Sequence, residues 1–106
     1  MRSKRTLGVV LFEGFELLDV FGPLEMFGLA ADHFEIRLIS ETGGVVASRQ
    51  GPKSVCDDSF NTAPPIDVLL VPGGMGTRRE VNNSVLLDWL KQRCKQAECV
   101  ASVCTG

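Results

Sequence analysis

At 106 residues the chain has room for one small domain, and only if its core closes on itself. A hydrophobic fraction of 44% with 23% charged residues is that of a soluble globular protein. The net charge of −2, with signs mixed along the chain, gives no electrostatic footprint for direct nucleic-acid binding or for a membrane surface.

The basic cluster Met1-Arg2-Ser3-Lys4-Arg5 precedes an apolar run reaching only from Leu7 to Phe12. That run is too short for a signal-peptide core or a membrane span, so a cytoplasmic protein is expected. Leu7–Phe12 shows no alternation, which predicts a strand buried on both faces. Glu13-Gly14 breaks it. From Phe15 to about Ala31 the apolar residues Leu17, Leu18, Phe21, Leu24, Phe27 and Leu29 follow a helical rhythm. Gly22-Pro23 interrupts it and predicts a short helical turn, a kink, and a second segment from Pro23 to Ala31. The sole histidine, His33, comes next as a surface or helix-capping residue.

Phe34–Ser40 alternates and predicts a strand with one wetter face. Thr42-Gly43-Gly44 is a turn, and Val45–Ala47 with Lys53–Cys56 predicts a small antiparallel excursion. After Ala63-Pro64-Pro65, Asp67–Val71 is a second strongly buried strand, followed directly by Pro72-Gly73-Gly74-Met75-Gly76. A helix is expected over 79–96 with Val85, Leu86, Trp89 and Leu90 on one face, then a last strand over Cys99–Val103. The order β-α-β-(hairpin)-β-α-β implies an α/β fold with a largely parallel sheet and helices on both faces. The four cysteines, Cys56, Cys94, Cys99 and Cys104, include no CxxC pair, and there is one histidine. Free thiols are therefore expected, with no metal site and no cofactor.

Ligands of open α/β sheets bind beyond the carboxyl ends of the strands. Three loops meet that condition: the segment after the first strand carrying Asp19, Pro72-Gly73-Gly74-Met75-Gly76, and Cys104-Thr105-Gly106. If their strands are neighbours, a carboxylate, a glycine-rich backbone and a thiol converge. Each also has a purely structural role open to it. Asp19 can be a helix-surface acid, the glycine pair an ordinary tight turn, and Cys104 a small buried hydrophobe. In the functional reading Cys104 is the nucleophile, and the backbone amides of Gly74 and Thr105 form an oxyanion hole. Asp19 holds a proton near the sulfur, and the Thr105 hydroxyl orients water or substrate. Phe15, Met75 and Arg78 are expected to wall a small-molecule pocket. The glycine segment lacks the Gly-Lys-Ser/Thr ending of a phosphate loop.

Together the segments Val9–Glu25, Asp67–Arg78 and Ser102–Gly106 resemble the DJ-1/PfpI family of the class I glutamine amidotransferase-like superfamily, with three motifs in the family's order and spacing. The resemblance implies a flavodoxin-like three-layer sandwich, a nucleophile elbow bearing Cys104, and usually a homodimer. Family members run to about twice this length, on the ordinary scale of a single domain. The 106 residues are therefore expected to form the N-terminal part of one such domain, ending inside the elbow. Cys-Thr-Gly with Asp at position 19 is similar to the isonitrile hydratase branch, which implies Asp19, Cys104 and Thr105 as the catalytic set. Amidase-like hydrolysis is the related enzyme chemistry. The same signature appears in the ligand-sensing amidotransferase-like domain of transcription regulators. A third reading is a redox or stress protein whose Cys104 is oxidised to a sulfinic acid with Asp19 as its hydrogen-bond partner.

Overall fold

The computed structural model of the chain describes residues 4–30, 32–72, 84–97 and 99–103. In chain order the elements are β1 (Arg5–Val10), α1 (Leu17–Gly28), β2 (Phe34–Ser40), β3 (Gly44–Ala47), β4 (Lys53–Cys56), β5 (Asp58–Ser59), β6 (Val68–Pro72), α2 (Ser84–Gln96) and β7 (Cys99–Val103). One sheet has the order β5-β2-β1-β6-β7, and β3 with β4 forms a separate antiparallel hairpin. All pairings in the larger sheet are parallel. The expected α/β architecture is present, with the two-residue strand β5 added beyond the hairpin.

Burial on both faces explains why β1 carries no polar alternation. Leu7, Val9 and Leu11 point to one layer with Val20 of α1, where Leu17, Leu24 and Phe27 pack against them. Val10 points to the other layer with Ile39, Leu69, Leu86 and Trp89. Successive strand side chains face opposite ways, so a strand between two helix layers needs apolar residues at every position. Gly8 shares the α2 side, where a Cβ would lie 2.8 Å from Ile66 Cδ1 and within 3.1 Å of Cγ2 of the same residue. Ile66 is itself buried. Gly8→Ala is therefore expected to destabilise the fold by about 1–3 kcal/mol through overpacking. A lowered urea midpoint would show this; an unchanged one would mean that Ile66 turns aside freely.

Two details differ from expectation. Helix α1 runs unbroken from Leu17 to Gly28 with Pro23 inside it. The clash that pushes a pre-proline residue out of helical geometry involves its Cβ, and here that residue is Gly22. In α2, Leu86 and Trp89 are buried but Val85 is 53% exposed. The inward stripe is 86, 89, 90 and 93, and position 85 sits one residue off it on the helical wheel. The predicted residues 79–83 of this helix lie outside the described residues.

Polar bonds pin the strand ends. Asp67 accepts the Thr6 N–H at 2.7 Å through Oδ2 and donates its own N–H to Thr6 O at 2.9 Å, clamping the start of β6 to β1. Arg37 grips Asp58 with Nε at 2.8 Å and Nη2 at 3.0 Å, a bidentate fork that holds the short β5 against β2. The same hydrogen bond keeps the guanidinium protonated above its ordinary range. Arg93 donates to Pro64 O and Ala63 O while lying over the Trp89 ring, which in turn stacks on Phe60 at 4.4 Å. His33 is exposed, and its carbonyl accepts the Arg5 N–H at 2.9 Å, closing the connection from α1 to β2.

Candidate functional site

Strand order decides whether the three sequence motifs can meet. β1, β6 and β7 are consecutive neighbours, with Leu7 opposite Val68 and Pro72 opposite Val103. Parallel strands lie about 4.8 Å apart, so the carboxyl ends of β1 and β7 are separated by about 10 Å. The chain leaves this one edge into the segment bearing Asp19, into 73–83, and into 104–106. Gly74, Met75, Arg78, Cys104 and Thr105 lie outside the described residues. Asp19 and Phe15 lie within them.

Asp19 is 3% exposed, in the first turn of α1. Its burial sets it apart from the surface acid that composition alone would suggest. Phe15, expected as a pocket wall, has no exposed surface: its ring packs in the α1-side core, tilted against Phe21 at 6.4 Å between centroids. It contributes to the site by fixing the turn that carries Asp19.

That turn is held from a distance. Gly14 donates its N–H to Ala47 O at 2.9 Å, Arg49 donates its N–H to Phe15 O at 2.9 Å, and Phe15 bridges to Ser48. Glu13 Oε2 accepts the Ala47 N–H at 3.3 Å, and Glu16 Oε2 lies 3.6 Å from Arg49 Nη1. The tip of the β3–β4 hairpin is thus stitched to residues 13–17. The sequence marks the hairpin but carries no local signal of where its tip docks.

Two concavities lie near these elements. One, of about 290 Å³, lies at the carboxyl ends of β1 and β2 among Leu11, Phe12, Glu13, Ser40, Thr42 and Phe60. The other, of about 620 Å³, is an almost wholly apolar groove along α1 between Leu18, Pro23, Met26 and Phe34, with Asp19 at its margin. Among the described residues, no three His, Cys, Asp or Glu side chains gather as a metal-binding group. Cys56 is buried and Cys94 exposed, both as free thiols. Burial pushes the Cys56 thiol above its ordinary pKa, a hydrogen bond with Ser40 partly opposes this, and the Asp57 charge adds to the rise. A thiol so disfavoured as thiolate is a packing residue.

A five-stranded parallel sheet between helices, with a buried acid at its carboxyl edge, defines a flavodoxin-like α/β protein. The chain belongs to the DJ-1/PfpI family, whose model matches residues 5–106. It is 31% identical over 100 residues to isonitrile hydratase of Pseudomonas putida, covering 94% of this chain and 43% of that protein. It is 24% identical over 110 residues to the HTH-type transcriptional regulator GbdR of Pseudomonas aeruginosa, covering 99% of this chain and 30% of the regulator. Among solved structures, a ThiJ/PfpI family protein from Pseudomonas syringae superposes with a TM-score of 0.89 at 27% identity, over 97% of this chain and 43% of that one. The chain therefore spans less than half the length of each of these relatives. No helix among the described residues is long and apolar enough to cross a membrane.

Proposed function

We propose that the chain carries the nucleophile and the acid of a cysteine-dependent small-molecule enzyme, and that its reaction is hydration of an isonitrile to an N-substituted formamide. The observation that supports this reading best is Asp19, a carboxyl group 3% exposed at the edge from which β7 leads into Cys104, in a chain 31% identical to isonitrile hydratase. Cys104 adds as thiolate to the terminal isonitrile carbon while Asp19 delivers a proton to that carbon. A carbon–sulfur bond forms and the carbon–nitrogen triple bond becomes a double bond, giving a thioimidate. Water then adds to the same carbon, with one proton passing through Asp19 to nitrogen. Collapse returns the hydroxyl proton to Asp19, expels the thiolate and releases the formamide, for a net uptake of one water. Thr105 orients the water, the amides of Gly74 and Thr105 face the developing charge, and Met75 and Arg78 wall the substrate. Amidase-like hydrolysis would use the same residues, and the family resemblance extends the reading to a homodimer.

The test uses a Cys94→Ser background, because Cys94 is exposed and would compete for reagent. The full chain is incubated with a small alkyl isonitrile before and after iodoacetamide treatment, with peptide mapping of the modified cysteine. Formamide is expected before treatment and lost in step with modification of Cys104; formation undiminished after complete modification would refute the nucleophile. A second reading, a ligand-sensing domain, is favoured by the 24% identity to GbdR across 99% of this chain. It predicts saturable ligand binding with no product, and a helix-turn-helix region on the same polypeptide.

A further inference from the structure

The start of α1 lacks a cap of its own. Its N-cap residue, Glu16, has extended backbone geometry and makes no side-chain capping bond. The first amides of a helix have no intrahelical acceptors and need a partner from elsewhere. Here Leu17 N–H donates to Oε1 of Gln50 at 3.3 Å, from a residue 33 positions away. The other end of the same amide donates through Nε2 to Glu16 Oε1. Gln50 thus caps the helix in place of a local residue and fixes the N-cap side chain in the same stroke. Its neighbours Ala47 and Arg49 tie residues 14 and 15 through backbone bonds, so the attachment is not a single contact. The hairpin is itself anchored at its base, where Asp57 donates its N–H to Leu38 O at 2.7 Å and accepts the Leu38 N–H at 2.8 Å. A rigid path therefore runs from β2 through the hairpin to the first turn of α1, where Asp19 is buried two residues beyond the capped amide.

We infer that Gln50 is a positioning residue: the hairpin tip sets the orientation of the first turn of α1 and with it the carboxyl of Asp19. This inference rests on the proposed pairing of Asp19 with Cys104. Gln50 is exposed, and its side chain bonds the Leu17 amide and the Glu16 carboxylate, so its effect on Asp19 is proposed to pass through the orientation of the helix start.

The experiment compares Gln50→Ala, the near-isosteric Gln50→Met, Asp19→Asn, and the exchange pair Glu16→Gln with Gln50→Glu, all in the full chain. The exchange pair keeps an acceptor for the Leu17 amide and an amide-to-carboxylate bond between positions 16 and 50, with donor and acceptor reversed. Two quantities are read: kcat and KM for the isonitrile, and the pH profile of Cys104 alkylation measured without substrate. Displacements of about 1 Å cost up to about 100-fold in rate. The Ala and Met variants are accordingly expected to lose about tenfold in kcat at unchanged KM, with the exchange pair back within about twofold of wild type. Their alkylation profiles should shift in the direction of Asp19→Asn, by less. Variants that melt at lower temperature but keep kcat and the alkylation profile would overturn the inference, leaving Gln50 a stabilising cap only. An unshifted profile in Asp19→Asn would instead refute the Asp19–Cys104 pairing, and the inference with it, whatever Gln50 does.

Discussion

Cys104→Ala is expected to lower isonitrile turnover by at least about a thousandfold, and Asp19→Asn by about 10²–10⁴-fold, with the fold intact in both. The two losses should not add. Every proton transfer assigned to Asp19 accompanies the attack of the Cys104 thiolate or acts on the adduct it forms. Nothing is left to assist once that thiolate is gone, so the double variant should match Cys104→Ala. Asp19 is the more informative position because of its burial. At 3% exposure it is shielded from bulk water at the sheet edge. Asparagine preserves size and hydrogen bonding but holds no transferable proton, so loss in Asp19→Asn separates proton transfer from packing. Steady-state kinetics with circular dichroism of each variant makes the comparison, and an Asp19→Asn enzyme at wild-type rate would remove Asp19 from the chemistry.

Leu7→Ala is expected to be the most damaging of the simple truncations, at about 2–5 kcal/mol. Leu7 has no exposed surface and stands on β1, the middle strand of five, with α1-side core residues over it. Both flanking strands, β2 and β6, pair at that position, opposite Ile36 and Val68, so the backbone has little freedom to collapse into the void. Against a total stability of about 5–15 kcal/mol for a domain, that loss is a large fraction. Val55→Ala supplies the contrast. Val55 is 71% exposed on the hairpin, and its truncation should change stability by no more than about 0.5 kcal/mol. Urea midpoints of the two variants test the claim, and similar midpoints would mean that the sheet is not the organising core.

The candidate site is legible in the sequence to different depths at different residues. From the sequence Asp19, Gly74 and Cys104 are expected at one edge, because each comes after an apolar run and parallel strands deliver their succeeding loops to the same side. Of the three, Asp19 lies within the described residues. Phe15 stands in one of those loops and reads as a pocket wall, yet its side chain turns inward and fills the core. Loop membership does not say which way a ring points. Gln50 gives no sequence signal at all: a polar residue in a short turn looks the same whether it faces solvent or caps a helix 33 positions earlier. Val85 lies one position off the buried face of its helix, since an apolar residue beside a stripe adds to the periodic signal without joining that face.

The sequence by itself determined the class of fold, the alternation of strands and helices, and the edge at which chemistry is to be sought. These derive from local quantities: unbroken apolar runs mark doubly covered strands, helical spacing marks one-sided helices, and chain direction marks the carboxyl ends. Only the tertiary structure decided that β1 is central, that α1 passes through Pro23 without a break, and that the hairpin tip closes on the start of that helix. Each of these depends on residues far apart in the chain finding one another. The free energy of such pairings resides in burial and hydrogen bonds that leave no periodic mark on either partner alone.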